Sequence, residues 1–310
     1  LWTFSDVMRK KRTILKVIKE NIMPPWPADP HYSSFVGENY LSDVEKETIY
    51  RWAEQGYQKG ADFRLPEKPN FPSLSNIAEP DLTIYMDSIE VFGNNRDRFL
   101  VVKVPGEILK DTFIRSIEFV PGKDQLVHHL NGHLFNFDPE KKNDVFEGTR
   151  VAEVELHPME YAEEFNALKL FHDDASKADV VFSAVNYLPG VVGTYYPEGI
   201  GGFKLNRKFA LVANDMHYAP ITETKIDRSH FNIFYSETKP TRPTEELMLG
   251  TNGVSAIRPP LNIAPDSILN VRTQYRIDRD ISILTVNPHM HLLGTNFLAY
   301  ALTSNGDTIP

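Results

Sequence analysis

Phe99-Leu100-Val101-Val102-Lys103-Val104 is the stretch that decides the fold class. It is a short apolar run that ends at Pro105-Gly106, the form of a β-strand closed by turn residues. Val151-Ala152-Glu153-Val154-Glu155-Leu156 and Phe231-Asn232-Ile233-Phe234-Tyr235 have the same form. Many short runs at this spacing, bounded by Gly, Pro, Asn and Asp, predict β-sandwiches. The β pattern begins near Asp81 and is interrupted once, by a helical insertion from Pro158 to about His172 whose inner face would carry Phe165, Leu168 and Phe171. Thr238-Lys239-Pro240-Thr241-Arg242-Pro243 marks a boundary, after which another strand set is expected.

Upstream of Asp81 the pattern is helical. Ile14, Val17, Ile18 and Ile22 follow the spacing of a buried helix face, with Lys and Arg between them. Met23-Pro24-Pro25-Trp26-Pro27 stops that helix, because tandem prolines cannot continue the hydrogen-bond ladder. Ser42-Asp43-Val44-Glu45 reads as a capping box opening a second helix, with Ile49, Trp52 and Ala53 on one side and an end near Gly56 to Gly60. Pro66, Pro69, Pro72 and Pro80 punctuate a linker. The reading is therefore mainly β: two tandem antiparallel β-sandwich (jelly-roll-like) domains after a small helical segment. The divisions fall at 1–62, 63–80 (the linker), 81–240 and 241–310. Leu1 at the start and the abrupt stop at Pro310 suggest cuts in a longer protein, truncating the last domain.

Composition narrows the function. With 310 residues and 41% hydrophobic content the chain can build more than one core. A net charge of −9 argues against nucleic acid as a partner. No run approaches the ~18–20 apolar residues of a membrane span, so no transmembrane segment is expected. Cysteine is absent, which removes disulfides, thiolate zinc sites, cysteine nucleophiles and covalent haem attachment within this chain.

The informative residues are histidines. His128 and His129 are adjacent, His217 sits in Asp215-Met216-His217-Tyr218, and His289 and His291 flank Met290. On a strand, alternate side chains share a face, so His289 and His291 can address one atom. The rings of an adjacent pair diverge on a regular strand; His128 and His129 reach one ion only at a strand end or bulge, which Asn131-Gly132 makes plausible. Imidazole suits zinc, copper, iron and nickel, so the donors alone do not name the metal. His133 reads as a hydrogen-bonded sheet residue, and His31, His157, His172 and His230 as solvated. Gly199, Gly201 and Gly202 read as a turn, and Asp173-Asp174 as a solvated helix end.

Val127-His128-His129, Met216-His217-Tyr218 and Pro288-His289-Met290-His291-Leu292-Leu293-Gly294 together resemble the copper type II, ascorbate-dependent monooxygenases, the family of peptidylglycine α-hydroxylating and dopamine β-monooxygenases. The resemblance covers roughly Asp81 to Pro310. Met23-Pro24-Pro25-Trp26 and the helix from Leu41 to Gly60 resemble the end of the c-type cytochrome domain fused to bacterial members, so 1–62 would be the C-terminal part of such a domain. The resemblance implies two copper sites: His128, His129 and His217 for electron transfer, and His289 and His291 for the copper where oxygen and substrate react. It makes Met23 an axial ligand of haem c, whose attachment motif would precede Leu1. The family's second copper also takes a methionine beyond the second histidine pair; no methionine follows His291, so that site is incomplete here.

The implied activity is hydroxylation of an unactivated C–H bond of a small-molecule or peptide substrate with O2. Electrons would come through the haem domain or an ascorbate-like reductant, in a periplasmic, cell-surface or secreted bacterial protein. One alternative is a non-catalytic copper-binding or structural sandwich module of a secreted or cell-surface assembly. Another is a zinc hydrolase using the same histidines, with Asp215 as base.

Overall fold

The computed structural model describes residues 3–26, 28–61, 75–123, 126–154, 163, 166–189, 193, 195–197, 199–251, 253–290 and 293–310. It is mainly β, in two compact units: Phe71–Leu284, and Leu1–Asn70 together with Thr285–Pro310. No helix among the described residues is long and apolar enough to cross a membrane.

Among the described residues the larger unit holds eleven strands: β1 Leu82–Tyr85, β2 Ile89–Val91, β3 Arg98–Glu107, β4 Thr112–Val120, β5 Val127–Phe137, β6 Val151–Glu153, β7 Asp179–Tyr187, β8 Phe203–Leu205, β9 Lys208–Tyr218, β10 Lys225–Asp227 and β11 His230–Tyr235. They form a four-stranded sheet β1-β11-β4-β8, a five-stranded sheet β6-β3-β9-β5-β7 and a ribbon β2-β10. Every pairing between these strands is antiparallel. Ile114, Ile117, Phe119, Phe231 and Ile233 from the first sheet share one buried core with Leu100, Val102, Leu130, Leu134, Leu211 and Met216 from the second. That is a sandwich-like arrangement, with the hydrophobic alternation of both sheets turned inward. The outer face of the five-stranded sheet has its own smaller core, built from Val101, Phe135, Phe137, Ala210 and Val212 under Val145, Leu168 and Leu170.

Gly202 fixes the turn into β8. Its φ is +83°, and a Cβ there would lie 2.3 Å from the Ile114 carbonyl oxygen. Glycine is required on both counts.

Three expectations change. Among the described residues between β11 and Tyr300, Arg258 and Arg272 form an isolated antiparallel bridge, and no strand is present. The apolar residues of that stretch are there, but Ile281, Ile283 and Val286 stay exposed. A strand exists only against a partner, and no described strand pairs with them. The helical insertion lies largely outside the described residues; Leu168 is buried as expected, while Phe171 is exposed and bridges Lys177 instead. His172 and His230 are buried rather than solvated. His172 accepts a hydrogen bond from the Asp138 N–H at Nε2 (2.9 Å) and meets Ser176 Oγ through Nδ1 (2.9 Å), which makes it a loop staple.

In the smaller unit, α1 (Phe4–Lys19) is capped by Thr3 and ends with Asn21 at φ 53°, so Ile22 falls past the helix and is exposed. The helix therefore stops before the prolines are reached. α2 (Asp43–Glu54) starts at Ser42 with the predicted reciprocal Ser42–Glu45 capping box. Trp52 closes its far end by donating Nε1–H to the Gln58 carbonyl (2.8 Å) and meeting Tyr57 edge-on. A hairpin, β12 (Ala301–Leu302) with β13 (Thr308–Ile309), ends the chain.

Leu211 is fully buried in the inter-sheet core, whereas Leu293 is exposed. Leu211→Ala should lower unfolding free energy in urea by ~2–5 kcal/mol, and Leu293→Ala by less than ~0.5 kcal/mol. Equal losses would contradict the position of the core.

Candidate metal centre

His128 and His129 open β5, and His217 lies one residue from the end of β9, the central neighbour of β5 in its sheet. Their convergence comes from two compensating irregularities. Between Val127↔Tyr218 and His129↔His217, β5 advances two residues while β9 advances one; between His129↔His217 and Asn131↔Asn214, β9 advances three and β5 two. One bulge therefore sits on β5 at His128 and one on β9 near Asp215, whose φ is +54°. The β3–β9 pairing shifts at the same place on β9.

The bulges reset which side chains face the core. Phe209, Leu211 and Ala213 point inward before the β9 bulge, and Met216 and Tyr218 after it. Without the extra residue, His217 would share the inward face of Leu211. With it, His217 turns outward, stacked on Phe99 of β3 at 4.3 Å and 14°. On β5, His129 lies on the outer face with His133 and Phe135, while Val127 and Leu130 both remain in the inner core and His128 is exposed. The irregularity brackets His128 and His129 rather than Asn131-Gly132, the place the sequence suggested.

The rings of His128, His129 and His217 lie 4.8–5.3 Å apart, and one nitrogen of each falls within 4.8 Å of the others. Nδ1 of His128 and Nδ1 of His129 are 3.0 Å apart. Two imidazole nitrogens each ~2.0–2.1 Å from one ion have about this separation. His217 Nε2 is 2.6 Å from Asp97 Oδ1, and His129 Nε2 is 3.4 Å from Asp215 Oδ2. With Nε2–H given to a carboxylate, the remaining lone pair of each neutral ring is on Nδ1. In His217 that Nδ1 is buried and has no hydrogen-bond partner. Burial, followed by the neighbouring His217 and His129, holds His128 below the usual histidine range, favouring the neutral form that ligates. Three imidazole nitrogens, one of them a buried lone pair, fit a transition metal such as copper or zinc.

Asp215 is itself the left-handed residue of the β9 bulge. The bulge brings it beside His129, but on the Nε2 side, behind the ring from Nδ1. Sequence reasoning missed Asp97 and Phe99, which flank Arg98 at the start of β3 and lie about 120 positions from His217. Only the strand register makes them neighbours, and no local motif announces it.

His289 is exposed and lies outside any strand, in the unit that includes Thr285–Pro310. His291 lies outside the described residues. Met23 is half-exposed, its N–H bonded to the Val17 carbonyl beyond α1.

His133 proves structural. Around it β7 advances four residues while β5 advances two, and the displaced Ser183 N–H donates to His133 Nδ1 at 3.2 Å. Burial pushes the His133 ring down to about 4 from 6.5. Above pH ~6.5 the ring is neutral in both folded and unfolded chains. Between 6.5 and 4 the unfolded chain takes up a proton that the folded one does not, so stability falls with falling pH, by at most ~3 kcal/mol. Urea unfolding at pH 7 and pH 4.5 should show a larger acid loss for wild type than for His133→Asn; identical losses would refute the assignment.

Comparison of the chain with family profiles, with curated proteins and with solved structures finds no match in any of the three.

Proposed function

We propose that this chain is part of an extracytoplasmic, copper-dependent monooxygenase and that His128, His129 and His217 hold its electron-transfer copper. The observation that carries the reading is the convergence of these imidazoles on one point of a sheet face, with a buried His217 Nδ1 that has no other partner. Copper held there supplies one-electron transfer between its two common oxidation states. Neutral imidazoles tolerate both states, so the donor set need not rearrange. Phe99, stacked on His217, keeps that ring from rotating and shields it on one side. His128, the exposed member, gives the centre its access to a redox partner in solvent.

The same reading assigns His289 and His291 to the second copper, where O2 and a small-molecule or peptide substrate meet. It assigns Met23 to haem c in a cytochrome-like segment that feeds electrons to the copper. Those parts rest on the sequence motifs. The zinc-hydrolase alternative is less favoured on geometry: its base, Asp215, faces Nε2 of His129, with the imidazole between it and the donor nitrogen.

Protein purified without chelators should contain copper and, after oxidation, give a type II Cu(II) EPR signal. His217→Ala should weaken copper binding, read by chelator competition, by more than the ~10–100-fold typical of losing an outer-shell partner. Zinc alone, or copper bound equally by His217→Ala, would overturn the proposal.

A further inference from the structure

Asp97 and Asp215 sit on the outer sides of His217 and His129, the two rings of the cluster that are partly buried. Arg98, next to Asp97 in sequence, is committed elsewhere: it pairs with Glu153 and donates to the Glu90 carbonyl (2.6 Å). The Asp97 charge is thus directed at His217 rather than neutralised by its neighbour. His128, the exposed ring, meets the other two histidines.

Resting on the copper reading above, we propose that Asp97 and Asp215 are positioning carboxylates of this centre, accepting Nε2–H so that Nδ1 of His217 and His129 becomes the donor, and favouring Cu(II) over Cu(I) by their negative charge. Orientation and charge are separable. An asparagine keeps an acceptor oxygen where the carboxylate was but removes the charge, whereas an alanine removes both. Asp97 is the stronger lever, with a 2.6 Å contact against 3.4 Å for Asp215. A unit charge a few ångströms behind the ring is felt more by a divalent than by a monovalent ion at the same donor.

The experiment is chelator competition on the full chain, run separately for Cu(I) under reductant and for Cu(II) in air, with thermal unfolding of the metal-free protein alongside. Asp97→Asn should weaken Cu(II) about tenfold while weakening Cu(I) clearly less. Asp97→Ala should weaken both, within the ~10–100-fold range of outer-shell losses. Asp215→Asn should shift in the same direction by a smaller factor. Equal weakening of both oxidation states by Asp97→Asn, or no change in either, would overturn the proposal. If Asp97→Ala fails to fold, the Asn variants alone decide. Wild-type protein that binds neither Cu(I) nor Cu(II) would instead remove the copper reading itself.

Discussion

A β-strand alternates with a period of two, and that period conflicts with what the three histidines need. His128 and His129 are adjacent, and His217 has the parity of the inward-facing Leu211 and Ala213. A regular ladder would bury His217 between the sheets and send His128 and His129 to opposite faces. One extra residue on β5 and one on β9 resolve both conflicts locally, and because the two cancel, the ladder resumes its original register by Asn131↔Asn214. Val127, Leu130, Met216 and Tyr218 therefore keep their places in the core while the imidazoles leave it. The centre depends on this pair of bulges more than on any single contact.

The outer face of the same sheet is divided by what covers it. Toward one end, the loops around Val145 and Leu168 close over Phe135, Phe137, Ala210 and Val212. They are anchored by ammonium groups, of which Lys103 and Lys142 are buried. Lys103 donates to the Glu147 and Leu168 carbonyls (2.7 and 2.8 Å), Lys142 pairs with Asp173, and Lys208 donates to the Lys142 and Asn143 carbonyls. Burial pulls Lys103 down to about 8, so these carbonyl bonds offset the desolvation of its charge. The histidines occupy the other stretch of that face, where His128 remains exposed. A dry, lysine-pinned region beside an accessible polar one is how one sheet face serves both packing and chemistry.

Local signals in the sequence were read well where local physics sets the structure. The Ser42–Glu45 capping box, the extended run Phe99–Val104 (though its strand continues through Pro105-Gly106 to Glu107) and the turn at Gly199–Gly202 depend on residues within a few positions of each other. The three histidine positions were legible as motifs, and the need for a bulge followed from strand alternation alone. Where the bulges fall was not legible, because it is set by pairing with β9 and β3. Asp97 was invisible for the same reason, and the contact of Asp215 with His129 follows from a bulge that alternation cannot locate. The burial of His172 and His230 was missed because both lie beside turn-like residues and are covered by tertiary contacts. The strand set expected after residue 241 shows the converse: an apolar pattern states a tendency to pair, and pairing needs a second strand.

Two unfavourable features coincide at this end of β9. Asp215 holds φ at +54°, a left-handed conformation that commonly costs on the order of 1–3 kcal/mol when it must be maintained in a strand. Two residues away, His217 Nδ1 is buried without a hydrogen bond, which costs ~1–3 kcal/mol for an unsatisfied polar atom. Neither helps the sheet, since β9 would pair with β3 and β5 more regularly without the extra residue. The left-handed turn places Asp215 against His129, and the parity change it causes delivers His217 to the same point. A ligand on the His217 nitrogen would offset the second cost and make use of the first. Strain and an unsatisfied donor nitrogen at one site, each explained by the other's position, argue that the bulge is there for the centre rather than for the fold.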